Sequence, residues 1–102
     1  MIIHCVFCNV LDEAPKGSVE QVFAALEDFC ESVPGAMSFE YGPNRGFEVK
    51  SQDFSDGVVI HFTDKAALEF YAEHPTHKAL GAQLCDLCKG GADGIMVFDL
   101  DV

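Results

Sequence analysis

Two stretches of this chain are apolar on both faces of a strand, and 102 residues offer few ways to hide them. Over residues 2 to 10, alternation puts His4, Val6 and Cys8 on one side and Ile3, Cys5 and Phe7 on the other. In the β-branched run Val58-Val59-Ile60-His61-Phe62, residues 58, 60 and 62 face one way and 59 and 61 the other. Strands of this kind are characteristically covered on both sides. Two layers must therefore meet them.

The other segments supply only one layer. A helix runs from Ser18, its candidate N-cap, with Val19, Val22, Phe23, Leu26, Cys30 and Val33 on one face, and Pro34-Gly35 ends it. Met37, Phe39 and Tyr41 alternate with Ser38 and Glu40 in an edge strand that Gly42-Pro43 stops. A polar stretch, 44 to 56, leads into the strand at Val58. Thr63 or Asp64 then caps a helix over Lys65 to Glu73, which Pro75 breaks and restarts as a second piece from Thr76 to Cys88, closed by Gly90-Gly91. Ile95 to Phe98 is a last strand.

This order is the ferredoxin-like βαββαβ sandwich of the α+β class, a four-stranded antiparallel sheet with the first and third strands central. Right-handed crossovers put both helical segments on the same face. The other face stays bare, and the expectation is a homodimer in which it meets its copy across a two-fold axis.

Composition narrows the partners. With 49% hydrophobic residues the chain folds as one domain, 1–102. Seventeen acids against six bases give a charge of -11, which repels nucleic acid and anionic membrane alike. The N-terminal apolar run breaks at Asn9 without a basic leader, so a cytoplasmic protein is expected. Five cysteines, an odd number, read as free thiols. The pairs Cys5/Cys8 and Cys85/Cys88 invite a zinc reading. Residues three apart on a strand point to opposite faces, however, so Cys5 and Cys8 do not grip one ion, and no metal is expected. Asp93, Asp99 and Asp101 lack calcium-loop spacing and read as solvated surface.

The densest group of reactive side chains is Tyr71-Ala72-Glu73-His74-Pro75-Thr76-His77. His77 falls in the first turn of the restarted helix, where the positive end of the dipole disfavours imidazolium and keeps a neutral base. Tyr71, in the last turn before the break, places a phenol near that ring. Together they suit removal of a proton from an activated carbon and hydrogen bonding of the enolate. The competing reading is a buried His77 satisfied by a backbone carbonyl, with Tyr71 as a wall residue. His74 caps the helix or faces solvent, and His4 is either a second pocket imidazole or a satisfied core histidine.

The opening strand with His4, Val33-Pro34-Gly35-Ala36 leading into Phe39-Glu40-Tyr41-Gly42-Pro43-Asn44, the strand ending in Phe62, Tyr71-x-x-His74-Pro75-x-His77 and Val97-Phe98-Asp99 together resemble the stress-responsive dimeric α/β-barrel (Dabb) family over nearly the whole chain. That resemblance implies a stress-related protein whose two sheets close a barrel, with a pocket between sheet and helices in each protomer. Plant polyketide cyclases similar to the family perform a cofactor-free aldol cyclisation, and their tyrosine and second histidine match Tyr71 and His77. Their first-strand pocket histidine matches His4. Leu26 and Asp56 stand where those enzymes have a tyrosine and a histidine, and Cys8 shares the face of His4, so these three are expected beside the ligand. The resemblance implies a small, largely apolar ligand and no cofactor. The alternatives are a non-catalytic protective binder and a cofactor-free monooxygenase.

Overall fold

The computed structural model describes all 102 residues. The first strand, β1 (Ile2–Cys8), is followed by α1 (Ser18–Cys30), β2 (Ala36–Pro43), β3 (Asp56–Phe62), α2 (Lys65–Glu73), α3 (Pro75–Asp86), a 3-10 turn (Gly91–Gly94) and β4 (Ile95–Asp101). The strands form one antiparallel sheet in the order β2-β3-β1-β4, so the two doubly apolar strands are central. No helix is long and apolar enough to cross a membrane.

The core lies between one sheet face and the helices. Cys8, Val58, Ile60 and Phe62 meet the α1 stripe of Val19, Val22, Phe23, Leu26 and Cys30, with Tyr71 and Leu84 closing it from α2 and α3. Phe23, Phe62, Ile60 and Cys8 are essentially sealed. Each large side chain so buried contributes about 1.5–3 kcal/mol. On the opposite face, Ile3, Cys5, Phe7 and Val59 stand beside Met96, Phe98 and Leu100, and the last three are about half exposed. The sheet is apolar on a side that no helix covers.

Local chemistry explains where elements start and stop. Asp64 caps α2, its carboxylate accepting from the Ala67 N–H at 2.9 Å. His74 caps α3, its Nδ1 accepting from the Thr76 N–H at 3.1 Å, with Pro75 at the first helical position. The expected Ser18 cap is corrected: Gly17 holds that position in a left-handed conformation, and the Ser18 hydroxyl donates to the Pro15 carbonyl instead. In β2 a bulge falls between Ala36 and Ser38, which takes Met37 out of the alternation and leaves it exposed.

The first strand ends two residues earlier than its pattern suggests. Past Cys8 the chain turns from the sheet to knit with the connection after α3: Asn9 donates to the Gly94 carbonyl, Lys89 to Asn9 and Leu11 to Leu87, each at 2.8 Å. At this crossing a Cβ on Gly94 would sit 2.3 Å from the Lys89 carbonyl oxygen and 3.1 Å from the Cys88 Cβ. Neither neighbour is a flexible side-chain end. Gly94→Ala should therefore cost about 3 kcal/mol, the upper end for overpacking, and lower the thermal midpoint by at least ~10 °C in circular dichroism. An unchanged midpoint would show that the crossing yields.

Candidate active site

His4, Tyr71 and His77 converge at one end of the sheet–helix layer. Tyr71 is buried, its ring 4.5 Å from His77 and 6.0 Å from His4 between centroids. Phe62 of β3 and Phe29 of α1 wall it, at 5.3 Å and 5.8 Å. The chain break at His74-Pro75 makes this meeting possible, because Tyr71 closes one helix while His77 opens the next.

The hydrogen bonds assign roles. The Nδ1 of His77 lies 2.9 Å from the Ala72 carbonyl oxygen, which can only accept, so Nδ1 carries the proton and Nε2 keeps its lone pair. No protein group bonds that Nε2 or the Tyr71 hydroxyl. No side-chain nitrogen or oxygen in the chain is sealed from solvent without a partner. His4 is held differently: its Nδ1 donates to the Asp99 carboxylate at 2.5 Å, across the β1–β4 register that sets the two residues opposite.

Electrostatics separates the two free groups. Burial lowers the His77 pKa, and nearby His4 lowers it further, against the opposing pull of the Ala72 carbonyl. Burial raises the Tyr71 phenol, with Cys30 adding to the effect. A neutral base thus faces a phenol that holds its proton, an acid/base division set by surroundings.

The lowered imidazole makes a stability prediction. Because the folded state disfavours the charged ring, the unfolded chain binds this proton more tightly, and the folded state keeps its full margin only above the ordinary value of 6.5. Stability should fall as pH drops from 6.5 toward about 5, before carboxylates titrate. His77→Gln should flatten that part of the profile in urea titrations. A slope identical to wild type would assign the proton elsewhere.

Of the other expected pocket residues, Cys8 and Asp56 lie further along the sheet from His4, and Leu26 shares the core cluster with Tyr71. Cys8 is fully buried and shares a hydrogen bond with Cys88; burial, then Cys88 itself, pushes its thiol up to about 12. Leu26 packs into the core from α1, one turn before Cys30. Asp56 opens β3 opposite Cys8 and Pro43, four residues along the strand from Ile60, the partner of His4. That is about 13 Å away. Cys5 and Cys8 point to opposite faces as their parity requires, and all five thiols are free. Two participants escaped the sequence reading: Asp99, taken for solvated surface, and Phe29, which lies off the main apolar stripe. Extending the last strand one residue past Phe98 puts Asp99 on the His4 face. A cavity of about 640 Å³ lies on the open face and includes none of the expected site residues.

Residues 2–102 match the family model described as the stress responsive A/B barrel domain, Dabb. The chain belongs to the Dabb family. A dimeric ferredoxin-like protein of unknown function from Jannaschia sp. CCS1 is similar to this Dabb chain at 42% identity, over 99% of this chain and 98% of that one, with a TM-score of 0.94. The Arabidopsis thaliana protein At3g17210 shares the fold at 17% identity, covering 100% and 95%, with a TM-score of 0.85. So does a hydroxynitrile lyase from Passiflora edulis, at 16% identity, 99% and 92% coverage and a TM-score of 0.83. No curated protein matches the chain.

Proposed function

We propose that this Dabb domain is a homodimer that binds a small, largely apolar molecule beside Tyr71 and His77 and moves a proton on it without a cofactor. One observation carries the reading. At the break between α2 and α3, a neutral imidazole with a fixed tautomer packs against a protonated phenol, their ring centroids 4.5 Å apart, with Phe29 and Phe62 walling the phenol. His77 removes a proton from a carbon flanked by carbonyl groups, and Tyr71 donates a hydrogen bond to the enolate oxygen. His4, pinned by Asp99, completes the polar wall. The Passiflora lyase shows that this fold carries an enzyme elsewhere, which supports the reading by analogy alone.

The homodimer rests on the open apolar face, and the dimeric Jannaschia relative supports it. The protective-binder alternative draws on the Ala72 carbonyl bond, which satisfies only one of the two His77 nitrogens. Hydrogen–deuterium exchange at the central carbon of apolar 1,3-diketones, followed by NMR with chelator present and nothing added, separates the readings. The wild-type protein should accelerate exchange by about 100-fold or more over buffer. Exchange at the buffer rate across a graded set of diketones would leave the binder.

A further inference from the structure

The loop joining β2 to β3 is braced from within and yet presents an aromatic ring to water. The Asn44 side chain donates to the Ser51 hydroxyl at 2.8 Å and the Phe54 carbonyl at 2.7 Å, and accepts from the Gly46 N–H at 2.9 Å. Val49 adopts a left-handed conformation, φ 55°, unusual for a β-branched residue. At the tip Phe47 is 93% exposed and Val49 is 65% exposed. The base does the reverse: Phe54 and Lys50 fold back to wall the cavity of about 640 Å³ whose floor is Phe7, Val59, Met96 and Phe98. One chain thus carries both an apolar knob held in place and an apolar hollow wider than a single aromatic ring.

We infer that the Phe47–Val49 tip seats in this cavity of a second copy of the chain, and that the partner's tip seats here in return. The inference rests on the homodimer proposed above and specifies how it is locked. A two-fold axis delivers both contacts at once, since each copy supplies knob and hollow. The cavity floor is part of the open face that the dimer buries, so tip and sheet form one continuous interface. Area points the same way. Four strands ~4.8 Å apart and seven residues long have a flat footprint of roughly 400 Å². A standard interface takes about 800 Å² of accessible surface from each partner. Side-chain relief narrows that gap, and an arm reaching across closes it. Charge does not oppose the contact: Arg45 before the tip offsets Glu48 within it, so the tip brings no net negative charge of its own to a partner of net charge -11.

Sedimentation equilibrium on the full chain tests this with three proteins. Wild type should be dimeric at micromolar concentration. Phe47→Asp should raise the dissociation constant at least ~30-fold, as loss of an interface anchor does. Phe70→Asp, on the helix side, should leave it unchanged. A monomeric wild type overturns the dimer and the docking together. A dimeric wild type matched within a few-fold by Phe47→Asp overturns the docking alone and leaves the cavity to a small molecule. Disulfide trapping gives an independent reading in a Cys5→Ser background, where a Phe47→Cys chain mixed with a Met96→Cys chain should form a mixed disulfide on oxidation. Same-type disulfides alone would also overturn the docking.

Discussion

Phe98→Asp should yield a folded protein that sediments as a single protomer where wild type is dimeric. Phe98 sits on the open face opposite Cys5, about half exposed in one protomer, and its ring lies 6.2 Å from Phe7. Within the protomer an aspartate there stays partly hydrated, and the helix-side core is untouched. In a face-to-face dimer the same carboxylate loses its water, and Lys50, which borders the same hollow, is the one lysine or arginine beside it. The effective penalty is about 3 kcal/mol or more per buried charge, and the two-fold axis doubles it. About 6 kcal/mol corresponds to roughly a ten-thousand-fold weaker dissociation constant. Sedimentation velocity with a circular-dichroism control reads the result. A variant that remains a tight dimer would mean that the subunits associate through some other surface.

Replacing His77 has the second large effect. His77→Ala removes the base and should reduce diketone exchange by about 100- to 10,000-fold. Because the ring is partly buried, alanine also loosens packing, and loss of activity alone is ambiguous. His77→Gln resolves this: its amide can donate to the Ala72 carbonyl as Nδ1 does now, while offering no base near neutral pH. The glutamine variant should fold, dimerise and lack activity. Tyr71→Phe keeps the base and removes the enolate donor, so its activity should fall by about 100-fold with the pH dependence intact. In wild type the rate should rise with pH through a value below 6.5 and level off near neutrality, since only neutral His77 accepts the proton. Full exchange by His77→Gln would take this residue out of the chemistry.

Much of the architecture is legible in local patterns. Period-two alternation with apolar residues on both sides marks β1 and β3 as central before any pairing is known, and Pro75 marks the break that sets Tyr71 against His77. What escapes notice depends on pairing. Asp99 looks like one more acid in an acidic tail until antiparallel register sets it opposite His4. Only family resemblance sets Asp56 and Leu26 beside a ligand; local pattern marks one as a strand start and the other as part of a core stripe. The early end of β1 is equally invisible locally, because Asn9 and Leu11 find their partners some eighty residues away, at Lys89, Gly94 and Leu87. The large hollow under the β2–β3 loop arises from a polar segment whose own sequence reads only as a connector.

Strand β4 gives neighbouring residues opposite duties. Phe98 points toward the bare side of the sheet, and Asp99, the next residue, reaches through to anchor the His4 imidazole. One peptide unit separates a group on the proposed subunit interface from a group that orients a ring beside Tyr71. Under the dimer and the ligand site proposed above, self-association and ligand binding become coupled equilibria: whatever tightens the edge strand from outside steadies the imidazole within, and a guest that gains from that steadiness repays it as cohesion between subunits.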